Sequence, residues 1–514
     1  MALQSATTIV LIVLDDLGRS DIGYTGSGIA TPTLDHLAAG GTQLSAYYVQ
    51  RACSPSRAAL LTGRYPTRYG FQSGVLEPRK PYGLSLSETL LPQRLGALGY
   101  ATHAVGKWHL GFYSWEHTPT FRGFESFLGY YTGYEDYYQH QQGGAIDLRH
   151  DEGPRCGANC SQVLWEARGE YSTHIFTRRA TDVIRSTPAA TPLFLYLAYQ
   201  AVHCPAQAPE SYIRKYNFSN HERNVFAGML SAADEGIANV TKALRAARDF
   251  ERTLIIVTTD NGAPTTGCGG AQGGQNWPWR GGKCSAWDGG LLGIAFVYGP
   301  GVGVRKNATL GHLAHLVDMY PTILDFAISR PTSAPLPLDG ISLLPALRSG
   351  AAPAARGEVL LEADPYAFPL SGRTWGGDEH ATPYYAIRRG RYKLIIGDPG
   401  IPGILDAYYC TGPPCPASHD NARNASAYPR LASTSVQLFD VGGDDPYEAH
   451  DLAPKSPDLV RELTRRLVAL NASAVSSAGQ GLPDDPAADP AKHNGTISPW
   501  VVQASKEESY LSST

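Results

Sequence analysis

Five separate segments of the sequence carry side chains that could bind a metal ion or stabilise a negatively charged group. Two hold oxygen donors, Asp15-Asp16 and Asp260-Asn261. Three hold cations and histidines: Gly106-Lys107-Trp108-His109, His203, and Arg280-Gly-Gly-Lys283. Oxygen-only ligands suit Ca²⁺ or Mg²⁺, and the histidines are too scattered for a typical zinc site. An isolated Asp-Asp pair more often belongs to a loop or caps a helix. The hypothesis of a metal site therefore depends on whether these segments lie together in the fold.

The elements around these residues predict that they do meet. The sequence contains several continuous apolar runs, and such runs are typical of strands buried on both faces of a sheet. The runs are Thr8–Leu14, Pro192–Tyr199, Leu254–Thr258 and Leu291–Tyr298, and a further strand is expected near Ala101–Val105. Helical spacing between them, as at Ala233, Ile237, Val240 and Leu244, indicates an α/β chain with a parallel sheet between helices. Ligands bind beyond the carboxyl ends of such strands, so we expect the five segments at one sheet edge.

The alternation of buried strands and helices gives way to a different pattern past about residue 370. Tyr384–Arg388 and Tyr392–Ile396 predict a hairpin across an Arg-Gly-Arg turn, and Val436–Asp440 predicts another strand. Leu459, Leu463 and Leu467 mark a late amphipathic helix. We therefore predict a catalytic α/β domain over 1–370 and a small antiparallel α+β domain over 371–514, with an irregular tail from about residue 476.

A second group of possible ligands, His312, His315 and Asp318, has helical spacing. It lies in Leu310–Leu324, whose apolar positions predict a packed helix that ends near Pro321. We expect these residues to serve structure rather than metal binding.

Composition excludes several classes of partner. The 43 basic and 47 acidic residues give a net charge of −4, so no general positive field attracts nucleic acid. The apolar run Ile9–Leu14 is far shorter than the roughly 20 residues of a membrane span. It is also too short for a signal peptide, so no targeting segment is expected in the printed chain.

Cysteine and asparagine positions favour the secretory pathway, with a lysosomal or extracellular destination. Two cysteine pairs are close in sequence, 156/160 and 410/415. Seven Asn-x-Ser/Thr sequons add to this, at Asn159, Asn217, Asn239, Asn307, Asn424, Asn471 and Asn494. The alternative is a reduced cytosolic protein with unused sequons.

One stretch carries a family resemblance. Cys53-Ser54-Pro55-Ser56-Arg57, followed by Leu61-Thr62-Gly63-Arg64, matches the signature of the sulfatases whose nucleophile is made from cysteine. Further matching segments are Val13–Gly18, Gly106–Gly111, Thr259–Gly262 and Leu438–Asp440. Within the family, Glu135–Tyr138, Val202–Pro209 and Asn276–Lys283 resemble the N-acetylgalactosamine-4-sulfatase (arylsulfatase B) branch and its near relatives. The resemblance covers nearly the whole chain.

The resemblance implies an alkaline-phosphatase-like α/β fold with a small C-terminal domain. It implies that a formylglycine-generating enzyme oxidises Cys53 to formylglycine, whose aldehyde hydrate is the nucleophile. The metal ligands would be Asp15, Asp16, Asp260 and Asn261 together with residue 53, and the usual ion is Ca²⁺, with Mg²⁺ second.

The same resemblance implies a role for each remaining candidate. Arg57 would hold the hydrate, and Lys107 would bridge the hydrate and a sulfate oxygen. His109 would accept a proton from the second hydroxyl, which splits the covalent step into two easier ones. His203 and Lys283 would bind the sulfate and assist the leaving oxygen.

The expected function is hydrolysis of sulfate monoesters. The substrate would be an aryl sulfate or a sulfated glycan with N-acetylgalactosamine 4-sulfate-like units, as in chondroitin or dermatan sulfate. The alternatives are a phosphomonoesterase or phosphonate hydrolase on the same scaffold, and an inactive glycan-binding relative.

Two further expectations concern cysteines and tyrosines near these segments. A Cys268–Cys284 disulfide could hold the glycine-rich loop over the site, and Cys204 is the candidate for a free thiol. A cluster of tyrosines could line a sugar subsite: Tyr130, Tyr131, Tyr134, Tyr137 and Tyr138.

Overall fold

The computed structural model describes residues 7–264, 273–327, 337–350, 356–364, 384–397, 399, 435–479 and 481–501. Its strands are β1 (Thr8–Leu14), β2 (Thr42–Leu44), β3 (Tyr47–Tyr48), β4 (Ala101–Lys107), β5 (Ser126–Tyr130), β6 (Gln141–Gln142), β7 (Ala145–Ile146), β8 (Arg149–Glu152), β9 (Ser161–Val163), β10 (Leu193–Tyr199), β11 (Thr253–Thr259), β12 (Ala295–Tyr298), β13 (Ala308–Leu310), β14 (Ala314–His315), β15 (Glu358–Asp364), β16 (Tyr384–Arg389), β17 (Tyr392–Gly397) and β18 (Val436–Phe439). Its α-helices are α1 (Pro32–Ala39), α2 (Cys53–Thr62), α3 (Leu91–Ala97), α4 (Ser172–Ser186), α5 (Glu210–Ile213), α6 (His221–Ala247), α7 (Asp288–Leu291), α8 (Met319–Ala327), α9 (Leu344–Ser349) and α10 (Pro457–Asn471).

A large mixed sheet runs through the main domain, in the order β13-β2-β12-β11-β1-β10-β4-β5-β8-β9. Its centre, β11-β1-β10-β4-β5, is parallel as predicted. The strands β12, β8 and β9 pair antiparallel at its flanks. The parallel centre matters for the site because its carboxyl ends all open on one edge.

Both faces of the sheet are covered, as the continuous apolar runs predicted. Alternate residues of β1 enter opposite layers: Ile9, Leu11 and Val13 pack in one core, and Val10, Ile12 and Leu14 pack in the other. Helices α2, α3 and α8 contribute to the first core, while α1, α4 and α6 contribute to the second. The predicted helix around residues 233–244 lies within α6.

Two predicted elements differ from the structure. The run Leu291–Tyr298 is a strand only from Ala295, since Asp288–Leu291 forms a helical turn, and that strand is antiparallel to β11. Leu291 and Leu292 are buried all the same, because an apolar run reports burial and not conformation.

The predicted helix over Leu310–Leu324 was also wrong. The chain leaves β13 at Leu310, forms β14, and enters α8 only at Met319. Pro321 lies in the first turn of α8, where its missing N–H is tolerated. His315 and Asp318 do serve structure: Asp318 Oδ2 accepts from the His315 backbone N–H at 2.8 Å.

The four-stranded antiparallel sheet β15-β16-β17-β18 lies beside the main sheet, and it includes the predicted hairpin. It packs on the main domain through a buried polar network around Lys393 of β17. Lys393 Nζ lies 2.6 Å from both Asp288 Oδ1 and Glu448 Oε1, and the Tyr48 hydroxyl donates to Asp288 Oδ2 at 2.9 Å. The boundary predicted at residue 370 falls outside the described residues, so the division at that point remains a prediction.

The last described stretch returns to the main domain. Residues 481–501 are mostly irregular, and Ile497 N–H donates to the Ile146 carbonyl at 2.8 Å while Trp500 packs edge-on against Phe112. Among the helices of the described ranges, none is both long and apolar enough to cross a bilayer.

The cysteines follow the local prediction where they can be compared. Cys156 and Cys160 form a disulfide, and Cys53 and Cys204 carry free thiols. Cys284 is disulfide-bonded. Cys268, Cys410 and Cys415 lie outside the described residues, so the Cys268–Cys284 and Cys410–Cys415 pairings remain predictions.

Candidate active site

The five segments singled out in the sequence meet at the carboxyl edge of the parallel strands. Leu14, the last residue of β1, lies opposite Tyr199 of β10 and Thr259 of β11. The residues that follow these strands are therefore brought side by side, and the Asp16 backbone N–H donates to Asp260 Oδ1 at 3.2 Å. The ten candidate residues of the sequence analysis all belong to this cluster.

Cys53 enters the cluster from the opposite side, as the first residue of α2. Its Sγ lies 3.5 Å from Asp15 Oδ1. Arg57 follows four residues later, on the same face of the helix and next to the same carboxylates. Every residue of α2 is buried, so this end of the helix is part of the core.

Two serines of the signature fasten the start of α2, a role that sequence reasoning missed. The Ser54 hydroxyl accepts from Leu76 N–H at 3.1 Å, and the Ser56 hydroxyl accepts from Gln50 N–H at 3.1 Å. Ser56 also donates to the Asp260 carbonyl oxygen. Ser56 therefore ties the start of α2 to the strand end that carries Asp260, and Ser54 ties it to the segment at Leu76.

Each of the three buried carboxylates has a cationic partner. Lys107 Nζ lies 2.6 Å from Asp15 Oδ2, and Lys283 Nζ lies 2.8 Å from Asp16 Oδ1. The Arg57 guanidinium lies 2.8 Å from Asp260 Oδ2 and 3.5 Å from Asp15 Oδ2. Buried charges of like sign would otherwise repel, so the pairs make the cluster possible inside a core.

The lysine pairs favour the ionised forms of Asp15 and Asp16. Burial alone would raise the pKa of Asp15, but Lys107 and neighbouring positive groups outweigh burial and lower it. Burial likewise opposes ionisation of Asp16, and Lys283 outweighs it, so the pKa of Asp16 is lowered. Burial would lower the pKa of Arg57, yet Asp260 and Asp15 raise it well above its ordinary value.

His109 is held neutral with one nitrogen free. Its Nε2 lies 3.1 Å from the Leu76 carbonyl oxygen, which can only accept, so Nε2 carries the proton. Its Nδ1 is buried without a hydrogen-bond partner among the described residues. Burial, reinforced by the charge of Lys107, lowers the pKa of His109 well below its ordinary value. The unprotonated Nδ1 is thus a base poised within the cluster.

The backbone of two site residues is strained. Asp16 has φ +61° and His109 has φ +57°, a region that residues with a side chain seldom adopt. Such conformations persist where the surrounding contacts enforce them, and they are frequent at functional sites.

His203 lies at the mouth of the cluster, with Nε2 3.6 Å from Asp16 Oδ2. Its Nδ1 donates to the Cys204 carbonyl oxygen at 2.9 Å, and the Cys204 thiol lies 3.4 Å from the same nitrogen. Burial alone would lower the pKa of His203, but Cys204 and Asp16 outweigh it and raise the pKa well above its ordinary value. The Nε2 edge of His203 therefore faces Asp16 and the rest of the cluster.

The cluster also offers oxygen donors for a metal ion. Carboxylate oxygens of Asp15 and Asp16 lie within 4.8 Å of each other, of Cys53 Sγ and of a ring nitrogen of His203, which the sequence analysis did not predict as a ligand. Asn261 Oδ1 is buried and has no hydrogen-bond partner in the described part of the chain. An orphaned amide oxygen beside two ionised carboxylates fits a hard cation. Asp260 stands outside this group, and its Oδ2 accepts from the Arg57 guanidinium at 2.8 Å.

The chain is similar to known proteins along most of its length. Residues 7–329 match the sulfatase family model. The chain is 36% identical to arylsulfatase J of Mus musculus, across 97% of this chain and 81% of that protein. It is 31% identical to N-acetylgalactosamine-6-sulfatase of Homo sapiens, across 66% of each. The solved structure of Ps i-CgsB in complex with k-i-k-neocarrahexaose matches with a TM-score of 0.73 at 25% identity, covering 96% of this chain and 97% of that one.

Proposed function

Because the chain belongs to the sulfatase family and hydrolyses sulfate esters, we propose that residue 53 is its nucleophile and that the ten clustered residues form its active site. The observation that carries this assignment is the position of Cys53. It opens a buried helix and lies beside Asp15, at the point where three strand ends bring their polar residues together. Its conversion to formylglycine is part of the proposal.

Residue 53, once converted, would supply a hydrated aldehyde as the nucleophile, and a cation held by the carboxylates would supply a Lewis acid. The chain's own residues do the rest. Arg57 fixes position 53, since its guanidinium lies one helical turn away among the same carboxylates. Lys107 and Lys283 stabilise the negative charge of the sulfate group, an electrostatic contribution that is usually the largest in catalysis.

Two histidines handle the protons. His109 takes the proton of the second hydroxyl at residue 53, and it does so at Nδ1, which is buried and has no hydrogen-bond partner among the described residues. His203 gives a proton from Nε2 to the oxygen that leaves the sulfur, because its Nδ1 is committed to the Cys204 carbonyl oxygen. The two histidines thus take the base and acid roles, respectively.

We propose Ca²⁺ as the resident ion, with Mg²⁺ as the less suited alternative. The ligands would be Asp15, Asp16, Asp260, Asn261 and residue 53. Ca²⁺ accepts six to eight oxygen ligands in irregular geometry, whereas Mg²⁺ demands a near-octahedral set. The carboxylates and the orphaned Asn261 oxygen belong to the first type of site.

The proposed substrate is a sulfated glycan with N-acetylgalactosamine 4-sulfate-like units, as in chondroitin or dermatan sulfate. The sugar is supported by the name of the related N-acetylgalactosamine-6-sulfatase, and a glycan substrate by the related structure in complex with k-i-k-neocarrahexaose. The 4-sulfate position comes from the sequence resemblance alone. No observation favours a phosphatase or an inactive binding protein, since the cysteine at position 53 and both catalytic histidines are present.

We propose that the protein matures in the secretory pathway and functions in the lysosome or outside the cell. The sequon asparagines that the structure describes are compatible with glycosylation. Five of them have exposed side chains: Asn159, Asn217, Asn239, Asn307 and Asn494. A sixth, Asn471, is partly exposed. Sugars can therefore be attached without disturbing the core.

The test uses the full chain secreted from a eukaryotic host. Peptide mass spectrometry and aldehyde labelling should find formylglycine at position 53, and turnover of an aryl sulfate should exceed that of the matching aryl phosphate. Cys53→Ala should lose the aldehyde label, while Cys204→Ala, which removes the other described free thiol, should keep it. An unmodified thiol at position 53 in fully active protein would overturn the assignment.

A further inference from the structure

The tyrosines that precede β6 are not equivalent, and one of them stands out. Tyr130, Tyr131 and Tyr137 are buried, and Tyr138 packs against Tyr171 with ring centroids 5.3 Å apart. Four of the five tyrosines that were predicted to line a sugar subsite are therefore engaged in packing. Tyr134 alone among them keeps a large exposed surface, 39% of its full value.

The segment 131–138, here named the tyrosine loop, contacts both catalytic histidines. The ring of Tyr134 lies nearly parallel to the imidazole of His203, with centroids 6.0 Å apart and an interplanar angle of 14°. Gly133 packs so closely on His109 that an added Cβ would lie 2.8 Å from its Cε1. The Tyr137 hydroxyl donates to the His203 carbonyl oxygen at 2.9 Å.

Buried or half-buried carboxylates fix the loop at both ends. Asp147 accepts from Tyr131 N–H at 3.1 Å, from Thr132 N–H at 2.9 Å and from the Thr132 hydroxyl at 2.6 Å. Asp136 accepts from Tyr138 N–H at 2.9 Å and from Gln207 Nε2 at 2.7 Å. Tyr134 is thus held in place before any ligand arrives, which lowers the entropy that binding must offset.

Burial defines where the rest of a substrate must lie. The catalytic side chains are almost fully enclosed, and His203 is the most exposed of them at 6%. A sulfate group can enter this centre, but the group esterified to it must remain outside, next to His203. Tyr134, which stacks on His203, has an exposed side chain there, and its flat apolar face suits the C–H face of a pyranose.

We propose that the ring of Tyr134 is the stacking platform for the sugar that carries the scissile sulfate. This inference rests on the proposed role of His203 and makes Tyr134 a specificity-determining residue. The ring, and not the phenolic hydroxyl, does the binding. Sulfate itself is held by the buried cations and does not depend on Tyr134.

The experiment compares wild type, Tyr134→Ala and Tyr134→Phe, all with conversion at residue 53 checked. Wild-type turnover of an aryl sulfate first establishes the enzyme. KM and kcat are then measured on N-acetylgalactosamine 4-sulfate, and inorganic sulfate is used as a competitive inhibitor that lacks a sugar. Trp165→Ala is the matched control, because Trp165 is an equally exposed aromatic that contacts Arg168.

Tyr134→Ala should raise KM for the sulfated sugar about 3- to 10-fold, the range of one aromatic stack. The inhibition constant of sulfate should change by less than about twofold, and Tyr134→Phe and Trp165→Ala should retain the wild-type KM. An unchanged KM in Tyr134→Ala, an equal loss in Tyr134→Phe, or an effect on kcat alone would overturn the platform. A wild type that cleaves aryl sulfate but not the sugar would also overturn it. A converted wild type that cleaves no sulfate ester would overturn the proposed function itself.

Discussion

Lys107 Nζ lies 2.6 Å from Asp15 Oδ2, and both side chains are completely enclosed by the protein. The same pairing recurs between Lys283 and Asp16 and between Arg57 and Asp260. The chain therefore balances three buried negative charges with its own cations. We therefore expect this region to fold without a metal ion to neutralise the carboxylates.

Metal removal should consequently abolish activity while leaving the fold intact. Dialysis against a chelator is expected to stop aryl sulfate turnover and to lower Tm by only a few degrees, the contribution of ligand binding to stability. Added Ca²⁺ should restore turnover better than Mg²⁺. Calorimetry and activity on the same samples check this. Loss of cooperative unfolding in the chelated protein would contradict the proposed charge balance.

Truncation of Arg57 should be strongly destabilising. Arg57→Ala leaves Asp260 and Asp15 buried without their guanidinium partner, which costs roughly 3–5 kcal/mol. Denaturant unfolding is the proper readout, because Arg57 also has a proposed role at residue 53 and its loss would lower activity even in a folded protein. Arg178→Ala breaks an exposed pair with Glu170 and should cost less than about 1 kcal/mol. Equal losses of unfolding free energy in Arg57→Ala and Arg178→Ala would contradict the stabilising role of the buried Arg57 pairs.

Gly133→Ala should reduce kcat through His109. The new Cβ would lie 2.8 Å from His109 Cε1, so the imidazole must shift. Misplacement of a catalytic group by about 1 Å can cost on the order of 10²-fold in rate, so we expect a 10- to 100-fold lower kcat. Gly96→Ala is the control, since a Cβ there meets nothing within 4 Å. Steady-state kinetics combined with a thermal melt separates this effect from unfolding. An unchanged kcat would show that Gly133 does not position His109.

Stability should fall as the pH rises because of Glu362. Burial raises the pKa of Glu362 to about 8, with Arg51 opposing and Asp364 adding to the shift. The folded protein retains a proton that the unfolded chain releases near pH 4.5, so this contribution is full below pH 4.5 and is lost progressively toward pH 8. Glu362→Gln should flatten that decline.

Thermal melts from pH 5 to pH 8 measure this effect. Glu362→Gln is expected to melt several degrees above wild type at pH 8 and close to wild type at pH 5. Glu462→Gln makes the same substitution at an exposed side chain and provides the control. Parallel pH curves for wild type and Glu362→Gln would show that Glu362 is not the residue responsible.

The site was more predictable from sequence than some of the elements around it. Parallel strands have one carboxyl edge, so Asp15 and Asp260 had to meet once their strands were recognised. The strand near Leu291 and the helix near Pro321 were misplaced, because apolar residues report burial and not backbone conformation.

The tyrosines show a different limit of sequence reasoning. Adjacent members of one cluster ended in opposite environments, with Tyr131 in the core and Tyr134 in solvent. That outcome depends on the hydrogen bonds of Asp147 and Asp136, which come from tertiary structure and leave no periodic signal. The free thiol of Cys204 was predicted correctly, because an odd number of cysteines remains once Cys53 is set aside.

The burial of α2 has a consequence for the order of events in the cell. Residue 53 is 1% exposed, and no neighbour within its helix is accessible, so a modifying enzyme cannot reach it in the folded protein. Under the proposed conversion, the opportunity closes when α2 packs, and molecules that fold first remain inert for their lifetime. The specific activity of a preparation would then depend on how fast Cys53 is oxidised in the nascent chain relative to how fast the chain folds.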